Sequence, residues 1–103
     1  MVTQITAAEA AAALEEGVRL IDVRQRWEWD IVHVEGSVLL DQPGVDALAA
    51  LPRDTPLMFL CHHGVRSLHA STYFAGLGFT DVRNVSGGVD AWARDHDPSL
   101  ARY

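Results

Sequence analysis

The sequence predicts an α/β fold, a three-layer α/β/α domain with a mainly parallel β-sheet. Short apolar or β-branched runs alternate along the chain with segments of helical spacing. One run, "PLMFL" at residues 56–60, is continuously apolar, which is typical of a strand covered by helices on both faces. The chain has 103 residues, 49% of them hydrophobic, which is enough for one domain, residues 1–103, with its own core.

The strands are short and are separated by helices, so neighbouring strands run parallel. "SVLL" predicts a short buried strand, and "VRLIDV" and "DVRNV" are rich in β-branched residues. In chain order, strands are predicted at residues 2–5, 18–23, 37–40, 56–60 and 81–85.

The helices have recognisable beginnings and ends. "TAAE", from Thr6 to Glu9, is a capping box, and Pro43 suits the first turn of a helix. Tryptophans at helical spacing in "RWEWDIVH" and at Trp92 are interpreted as core or partly buried residues, with Trp27 and Ile31 on one helix face. Helices are predicted at residues 6–16, 26–33, 43–51, 66–77 and 87–95.

Charge and composition exclude several classes of function. The net charge of −6 and the pI near 5.1 argue against binding to nucleic acid or to an anionic membrane surface. All eight basic residues are arginine, so a lysine nucleophile or Schiff base is excluded. The N-terminus lacks the pattern of a signal peptide, and the lone cysteine cannot form an internal disulfide. We therefore expect a cytoplasmic protein.

That cysteine, Cys61, follows the apolar strand and precedes the turn "HHGVR". In open α/β sheets ligands bind outside the carboxyl ends of the strands, which is where the sulfur lies. Inward-facing amides and the N-terminus of the next helix favour a thiolate, and so lower the pKa of the thiol. Arg66 adds a permanent positive charge, and Gly64 allows an unusual backbone conformation. Cys61 is therefore predicted to be a nucleophile and not an inert core residue.

The residues after Cys61 are predicted to form its substrate-binding loop. Arg66 either binds the substrate or pairs with a loop-closing carboxylate or carbonyl, and Ser67 either caps the helix or supplies a hydroxyl to the loop. No metal site is expected, because adjacent ligands rarely close on one ion and the usual spaced pairs are missing. The predicted loop residues are His62, His63, Gly64, Val65, Arg66 and Ser67.

Other polar residues have a structural interpretation beside a functional one. Asp22 and Arg24 could contact substrate, but a structural ion pair is favoured. His33 is a candidate base, yet its place in a turn favours packing or a backbone hydrogen bond. Gly87 and Gly88 allow tight turning at the start of the last helix.

Three stretches resemble the rhodanese family of sulfurtransferases and together cover nearly the whole chain: "LIDVRQRWEWDIVHVEGSVLL", "CHHGVRS" and "NVSGGVDAWARDHDP". The resemblance implies a rhodanese-like domain with a five-stranded parallel sheet and helices on both sides. It also implies transfer of a sulfane sulfur atom through a persulfide on Cys61. Val32 and Glu35 depart from the family's "GHIPGA"-like turn, and the loop carries less positive charge than that of thiosulfate-using members.

The resulting hypothesis is a monomeric sulfurtransferase without cofactor. It moves sulfane sulfur from thiosulfate or a persulfide to cyanide or a thiol. No second cysteine exists to resolve the persulfide, so the acceptor is another molecule. One alternative is a sulfur-relay or regulatory module whose donor is a protein persulfide, since "DPSLARY" resembles tails of rhodanese domains attached to sulfur-carrier adenylyltransferases. A phosphatase or arsenate reductase of related fold is less favoured, because those proteins resemble Cys-x5-Arg and this chain has Cys-x4-Arg.

Overall fold

The computed structural model describes all 103 residues and has five parallel strands in one sheet. The strands are β1 (Val2–Ile5), β2 (Arg19–Asp22), β3 (Val38–Leu39), β4 (Leu57–Leu60) and β5 (Val82–Val85), and their order in the sheet is β1-β5-β4-β2-β3. The helices are α1 (Ala7–Glu15), α2 (Arg26–Ile31), α3 (Gln42–Ala49), α4 (Val65–Gly76) and α5 (Gly88–Ala91), which continues into a π-helical turn, Trp92–His96. The predicted α/β fold is confirmed, and every strand pair is parallel. None of the helices combines the length and hydrophobicity needed to span a bilayer.

The central strand β4 is buried on both faces, as its continuous apolar run predicts. Met58 and Leu60 point into one apolar cluster, shared with α1, α5 and the π-helical turn. Leu57 and Phe59 point into the other, shared with α3 and α4. This alternation follows from the two-residue period of a strand and produces the three layers.

Local signals fix several helix ends. The Thr6 hydroxyl accepts from the Glu9 amide while the Glu9 carboxylate accepts from the Thr6 amide, so the predicted capping box is confirmed. The Asp41 side chain caps α3 by accepting from the Gly44 amide, and Pro43 lies in the first turn. Both arrangements satisfy amides that a helix start leaves without partners.

Two burial predictions were wrong. β3 was predicted as a buried strand, but it is a two-residue edge strand that pairs only with β2, and Val38 is 65% exposed. Trp27 was interpreted as a core or partly buried residue, yet it is 61% exposed, and Ile31 on the same helix face is 47% exposed. The reason is that α2 turns Glu28 inward instead, whereas Trp92 is buried as predicted.

The remaining differences concern helix ends. The helix predicted to reach residue 33 ends at Ile31, because Val32 is already extended, with φ −162° and ψ 141°. The last helix was predicted as one segment over residues 87–95 and instead changes from α to π geometry at Trp92.

Candidate active site

Cys61 is the first residue beyond the carboxyl end of β4 and is 1% exposed. Its Sγ accepts hydrogen bonds from the Gly64 amide at 3.1 Å, the Ser67 amide at 3.3 Å and the Ser67 hydroxyl at 3.2 Å. All of these donors come from the turn between β4 and α4 or from the first turn of α4. The sulfur therefore lies in a cradle of N–H and O–H groups.

Neighbouring elements turn the loop carbonyls away from the sulfur. The Val89 amide donates to the Cys61 carbonyl at 2.8 Å, and the Asp90 amide donates to the His62 carbonyl at 3.1 Å. From β5, the Asn84 side-chain amide donates to the Gly64 carbonyl at 3.1 Å. Because a peptide C=O points opposite the N–H of the next residue, the contact at the His62 carbonyl turns the His63 amide towards the sulfur.

This cradle sets the charge state of the thiol. Burial alone raises the pKa of Cys61, but hydrogen bonds from the Ser67 hydroxyl and from the amides of Ser67, Gly64 and His63 outweigh it, so the pKa is lowered. Hydrogen bonding to the charged form of a group stabilises that form. Because the thiolate is the nucleophilic form of cysteine, the site is suited to nucleophilic chemistry.

Two glycines allow α5 to approach the loop. Gly87 and Gly88 have φ of +74° and +61°, so the prediction that they allow tight turning is confirmed. A Cβ on Gly88 would lie 2.3 Å from the Cys61 carbonyl oxygen and 2.5 Å from the backbone of His62. Only glycine fits this close approach of two backbones.

Arg66 is bound to a carboxylate from another element and does not reach into the cradle. Its two terminal nitrogens donate to the Glu28 oxygens at 2.7 and 2.9 Å, in a bidentate pair. Arg66 lowers the pKa of Glu28 to about 2, and the Gln25 amide also donates to this carboxylate. Of the two roles that the sequence left open, the geometry matches pairing with a loop-closing carboxylate.

Asp22 and Arg24 have the structural role that the sequence favoured, but they form an ion pair with each other and not with charged residues of neighbouring loops. Arg24 contacts Asp22 at 2.7 Å with both side chains fully buried, and it also donates to the Val32 carbonyl at 2.7 Å. The pair therefore connects the end of β2 to Val32, the residue that follows α2. Because both side chains are fully buried, this structure does not support a direct contact of either with substrate.

The two loop histidines lie in a stack of rings. His62 is between His63 and Tyr103, with ring centroids 3.9 Å apart on each side. Burial and then the neighbouring His63 lower the pKa of His62, which favours the uncharged form of this ring. Its Nε2 is buried without a hydrogen-bond partner.

Ligand atoms of His62, His63 and Asp90 lie within 4.8 Å of one another. The two histidine rings face each other with planes 27° apart, so their in-plane lone pairs do not converge on one point. Asp90 is paired with Arg102 at 3.0 Å and with Arg94 at 3.8 Å. This geometry favours stacking of the two histidine rings at the side of the loop over a metal centre.

The structure thus places the predicted loop residues in distinct positions. Gly64 and Ser67 contact the sulfur, whereas Val65 is an exposed residue at the start of α4. His33 is exposed and its Nδ1 bonds the Trp29 carbonyl at 2.9 Å, as its turn position predicted.

Sequence reasoning missed Glu28 and Tyr103 as parts of the site. The Gln25 amide donates to Glu28 Oε2 at 2.9 Å, which is half of a capping box, but such a contact does not mark a carboxylate as buried, since Glu9 makes the same contact with Thr6 and is exposed. Tyr103 lies 79 residues from its partner Arg24 along the chain, and no local pattern marks such a contact.

Fold and loop together define a parallel α/β domain that holds a single thiol in an amide-lined turn at the carboxyl edge of its sheet. The sequence model of the family described as Rhodanese-like domain matches residues 6–95 of the chain. The chain therefore belongs to the rhodanese-like family. The family predicted from the sequence is therefore confirmed.

Known relatives and a solved structure agree with this assignment. Over an alignment of 104 positions that covers 96% of this chain, the chain is 38% identical to the probable adenylyltransferase/sulfurtransferase MoeZ of Mycobacterium tuberculosis, and it spans 26% of that protein. It is 39% identical over 85 residues to the thiosulfate sulfurtransferase GlpE of Pseudomonas savastanoi pv. phaseolicola, with 82% of this chain and 80% of that protein covered. A crystal structure of a rhodanese-like domain protein from Staphylococcus aureus matches with a TM-score of 0.75 and 28% identity, over 98% of both chains.

Proposed function

We propose that this protein is a sulfurtransferase that carries a sulfane sulfur atom as a persulfide on Cys61. The observation that carries the proposal is the cradle around the Sγ atom, with three hydrogen-bond donors within 3.3 Å. The family assignment and the relatives named as sulfurtransferases support sulfurtransferase activity in general. The persulfide, the donor and the acceptor are the parts that this proposal adds.

The cradle suits both halves of such a reaction. In the first, the Cys61 thiolate attacks the outer sulfur of the donor, the donor's bond to that sulfur breaks, and the donor leaves with the electron pair. The product, Cys–S–S⁻, is again an anion, which loop amides stabilise by preorganised dipoles. In the second, an acceptor attacks the outer sulfur and regenerates the thiolate.

The position of Arg66 favours this reaction over phosphate chemistry. A phosphatase loop needs its arginine free to clamp a tetrahedral oxyanion, whereas Arg66 is committed to Glu28 by two hydrogen bonds. The Cys-x4-Arg spacing also closes a smaller ring than Cys-x5-Arg. A single sulfur atom is the better match to this loop.

Two donor classes belong to the proposal. Thiosulfate is supported by the relative named as a thiosulfate sulfurtransferase. A persulfide on a small thiol or on a protein is supported by the match to a protein named as an adenylyltransferase and sulfurtransferase. Cyanide or a thiol is the proposed acceptor, because the chain has no second cysteine to accept the sulfur internally.

The test is the intact mass of the purified protein after incubation with thiosulfate, mercaptopyruvate, glutathione persulfide, or a cysteine desulfurase with cysteine. We expect the mass of one added sulfur atom from at least one donor, located at Cys61 and removed by cyanide. Cys61→Ser should gain no sulfur and lose turnover. Native turnover in that variant, or no gain from any donor, would contradict the proposal, and hydrolysis of an aryl phosphate would favour the phosphatase alternative.

A further inference from the structure

Tyr103 lies in the segment after the π-helical turn and reaches back to the active-site loop. Its hydroxyl donates to Glu28 Oε1 at 2.9 Å and accepts from an Arg24 terminal nitrogen at 2.8 Å. Its ring stacks on the His62 ring, with planes 7° apart, and meets Trp27 edge-on at 6.3 Å. One side chain therefore touches β2's ion pair, α2 and the loop.

The hydroxyl joins two ion pairs in a row of alternating charge. Asp22 and Arg24 form the buried pair at the end of β2, and Glu28 and Arg66 form the pair that reaches the loop. Arg24 donates directly to the main-chain carbonyl of Glu28 at 3.4 Å, and the Tyr103 oxygen links the Arg24 guanidinium to the Glu28 carboxylate. Since a phenol donates one proton and accepts through its lone pairs, it satisfies both neighbours at once.

This junction fixes the carboxylate that holds Arg66. Both Glu28 oxygens are occupied: Oε2 by Arg66 and the Gln25 amide, and Oε1 by Arg66 and Tyr103. Arg66 directly precedes Ser67, whose amide and hydroxyl contact the sulfur. A change in the Glu28 position therefore passes to the donors around Cys61 through one residue of backbone.

We propose that Tyr103 is a positioning residue for the active-site loop: its hydroxyl holds Glu28 in place, so that Arg66 stays docked and the donors around Cys61 stay aligned. The inference rests on the proposed function, because it concerns the same thiol and the same loop. Tyr103 itself makes no contact with the sulfur and is not a catalytic residue.

The test measures the pKa of Cys61 from the pH dependence of its alkylation rate by iodoacetamide. Tyr103→Phe keeps the ring that stacks on His62 and removes only the hydroxyl. We expect the pKa of Cys61 to rise by on the order of half a pH unit, because weaker alignment of donors disfavours the thiolate. Tyr73→Phe is the matched control, since Tyr73 is exposed on α4 outside this row of contacts. The pKa of Cys61 in the Tyr73→Phe variant should equal the wild-type value.

A double-mutant cycle separates positioning from a general loss of stability. Glu28→Asp keeps the negative charge but shortens the side chain, so it should also raise the pKa of Cys61. The double variant with Tyr103→Phe should raise it no further than Glu28→Asp alone, because both act through the position of one carboxylate. Both variants leave the other ionisable groups around the loop in place: His62, His63, Asp90, Asp22, Arg24 and Arg66.

An unchanged pKa in Tyr103→Phe, or additive shifts in the double variant, would overturn the inference. Alkylation needs only the thiol, so either result is independent of whether Cys61 accepts sulfur. Failure of sulfur transfer in the wild type would instead count against the proposed function alone. If Tyr103→Phe fails to fold, Glu28→Asp still tests the route to the thiol at constant charge, and an unchanged pKa there is equally decisive against it.

Discussion

Ser67 is the residue with the most contacts to the candidate nucleophile. It supplies both an amide and a hydroxyl to the Cys61 Sγ, and its own carbonyl accepts from the Ser71 hydroxyl at 2.7 Å. Both serines are fully buried on the inner side of α4. A buried hydroxyl needs a partner, and here the partner is the sulfur, so Ser67 favours the charged form of the thiol.

Ser67→Ala should therefore raise the pKa of Cys61 by about one unit, since a lost hydrogen bond to a charged group costs about 1.5 kcal/mol. The alkylation rate near neutral pH should fall accordingly. Ser71→Ala is the matched control, because it removes a buried hydroxyl one turn further along the same helix that bonds only a helix carbonyl. Equal pKa values of Cys61 in the two variants would show that the hydroxyl has no effect on the thiolate.

The residue scale also shows what the sequence could and could not predict about the site. The thiol, the glycine and the helix start were predictable because they are contiguous in "CHHGVRS" and carry local signals. Which of two roles Arg66 takes was not, because it depends on Glu28, 38 residues away. Tyr103 was not predictable for the same reason, since its partners meet only after the sheet has formed.

At the scale of elements, the start of α5 acts on the loop as a template. Its Val89 and Asp90 amides bind the Cys61 and His62 carbonyls, and this contact requires Gly88. The amides at a helix start lack partners inside the helix, so they are free to bind another segment. Positioning of the sulfur is thus shared by α4, which donates to it, and α5, which orients the loop.

Gly88→Ala should displace α5 from the loop, because its Cβ would lie 2.3 Å from the Cys61 carbonyl oxygen and its φ is positive. We expect a loss of about 2 kcal/mol in the free energy of unfolding in urea, with a matching loss of thiolate reactivity. Gly76→Ala in α4 is the control, since a Cβ there meets nothing within 4 Å and alanine favours helices. Wild-type stability and reactivity in Gly88→Ala would contradict this template role.

Among the elements, the central strand and the starts of α1 and α3 were predicted better than the edge strand β3. β4 is apolar throughout because both of its faces are covered, and capping residues mark α1 and α3. "SVLL" is equally apolar but forms an edge strand, and its burial depends on how many strands flank it. Periodicity reports the faces of an element, whereas strand order is a property of the whole sheet.

At the scale of the whole molecule, ionised groups join segments that are distant in sequence. The row from Asp22 through Arg24, Tyr103 and Glu28 to Arg66 connects the end of β2, α2, α4 and the segment after the π-helical turn. Two apolar clusters hold the helices to the sheet, but neither includes the polar side of the active-site loop. The acidity of the medium should therefore act on the folded state through these ionised groups.

Glu28 makes this dependence measurable. Its pKa is lowered from an ordinary 4.5 to about 2 in the folded protein, so its stabilising contribution is complete above pH 4.5 and disappears as the pH falls towards 2. Glu28→Gln should lower the free energy of unfolding by about 2 kcal/mol at pH 7, less than the full pKa difference implies because Arg66 is half exposed and screened by solvent.

The measurement is urea unfolding of the wild type and Glu28→Gln at intervals from pH 7 to pH 2, with Asp46→Asn as a control that removes an exposed acid from α3. The difference between wild type and Glu28→Gln should stay constant down to about pH 4.5 and then shrink, because the wild-type carboxylate becomes protonated and loses its charge-assisted bonds to Arg66. Asp46→Asn should differ little from the wild type at neutral pH. A difference for Glu28→Gln that is the same at pH 7 and near pH 2 would mean that the ionised carboxylate contributes nothing to folding, and that the Glu28–Arg66 pair does not fasten the loop to the rest of the molecule.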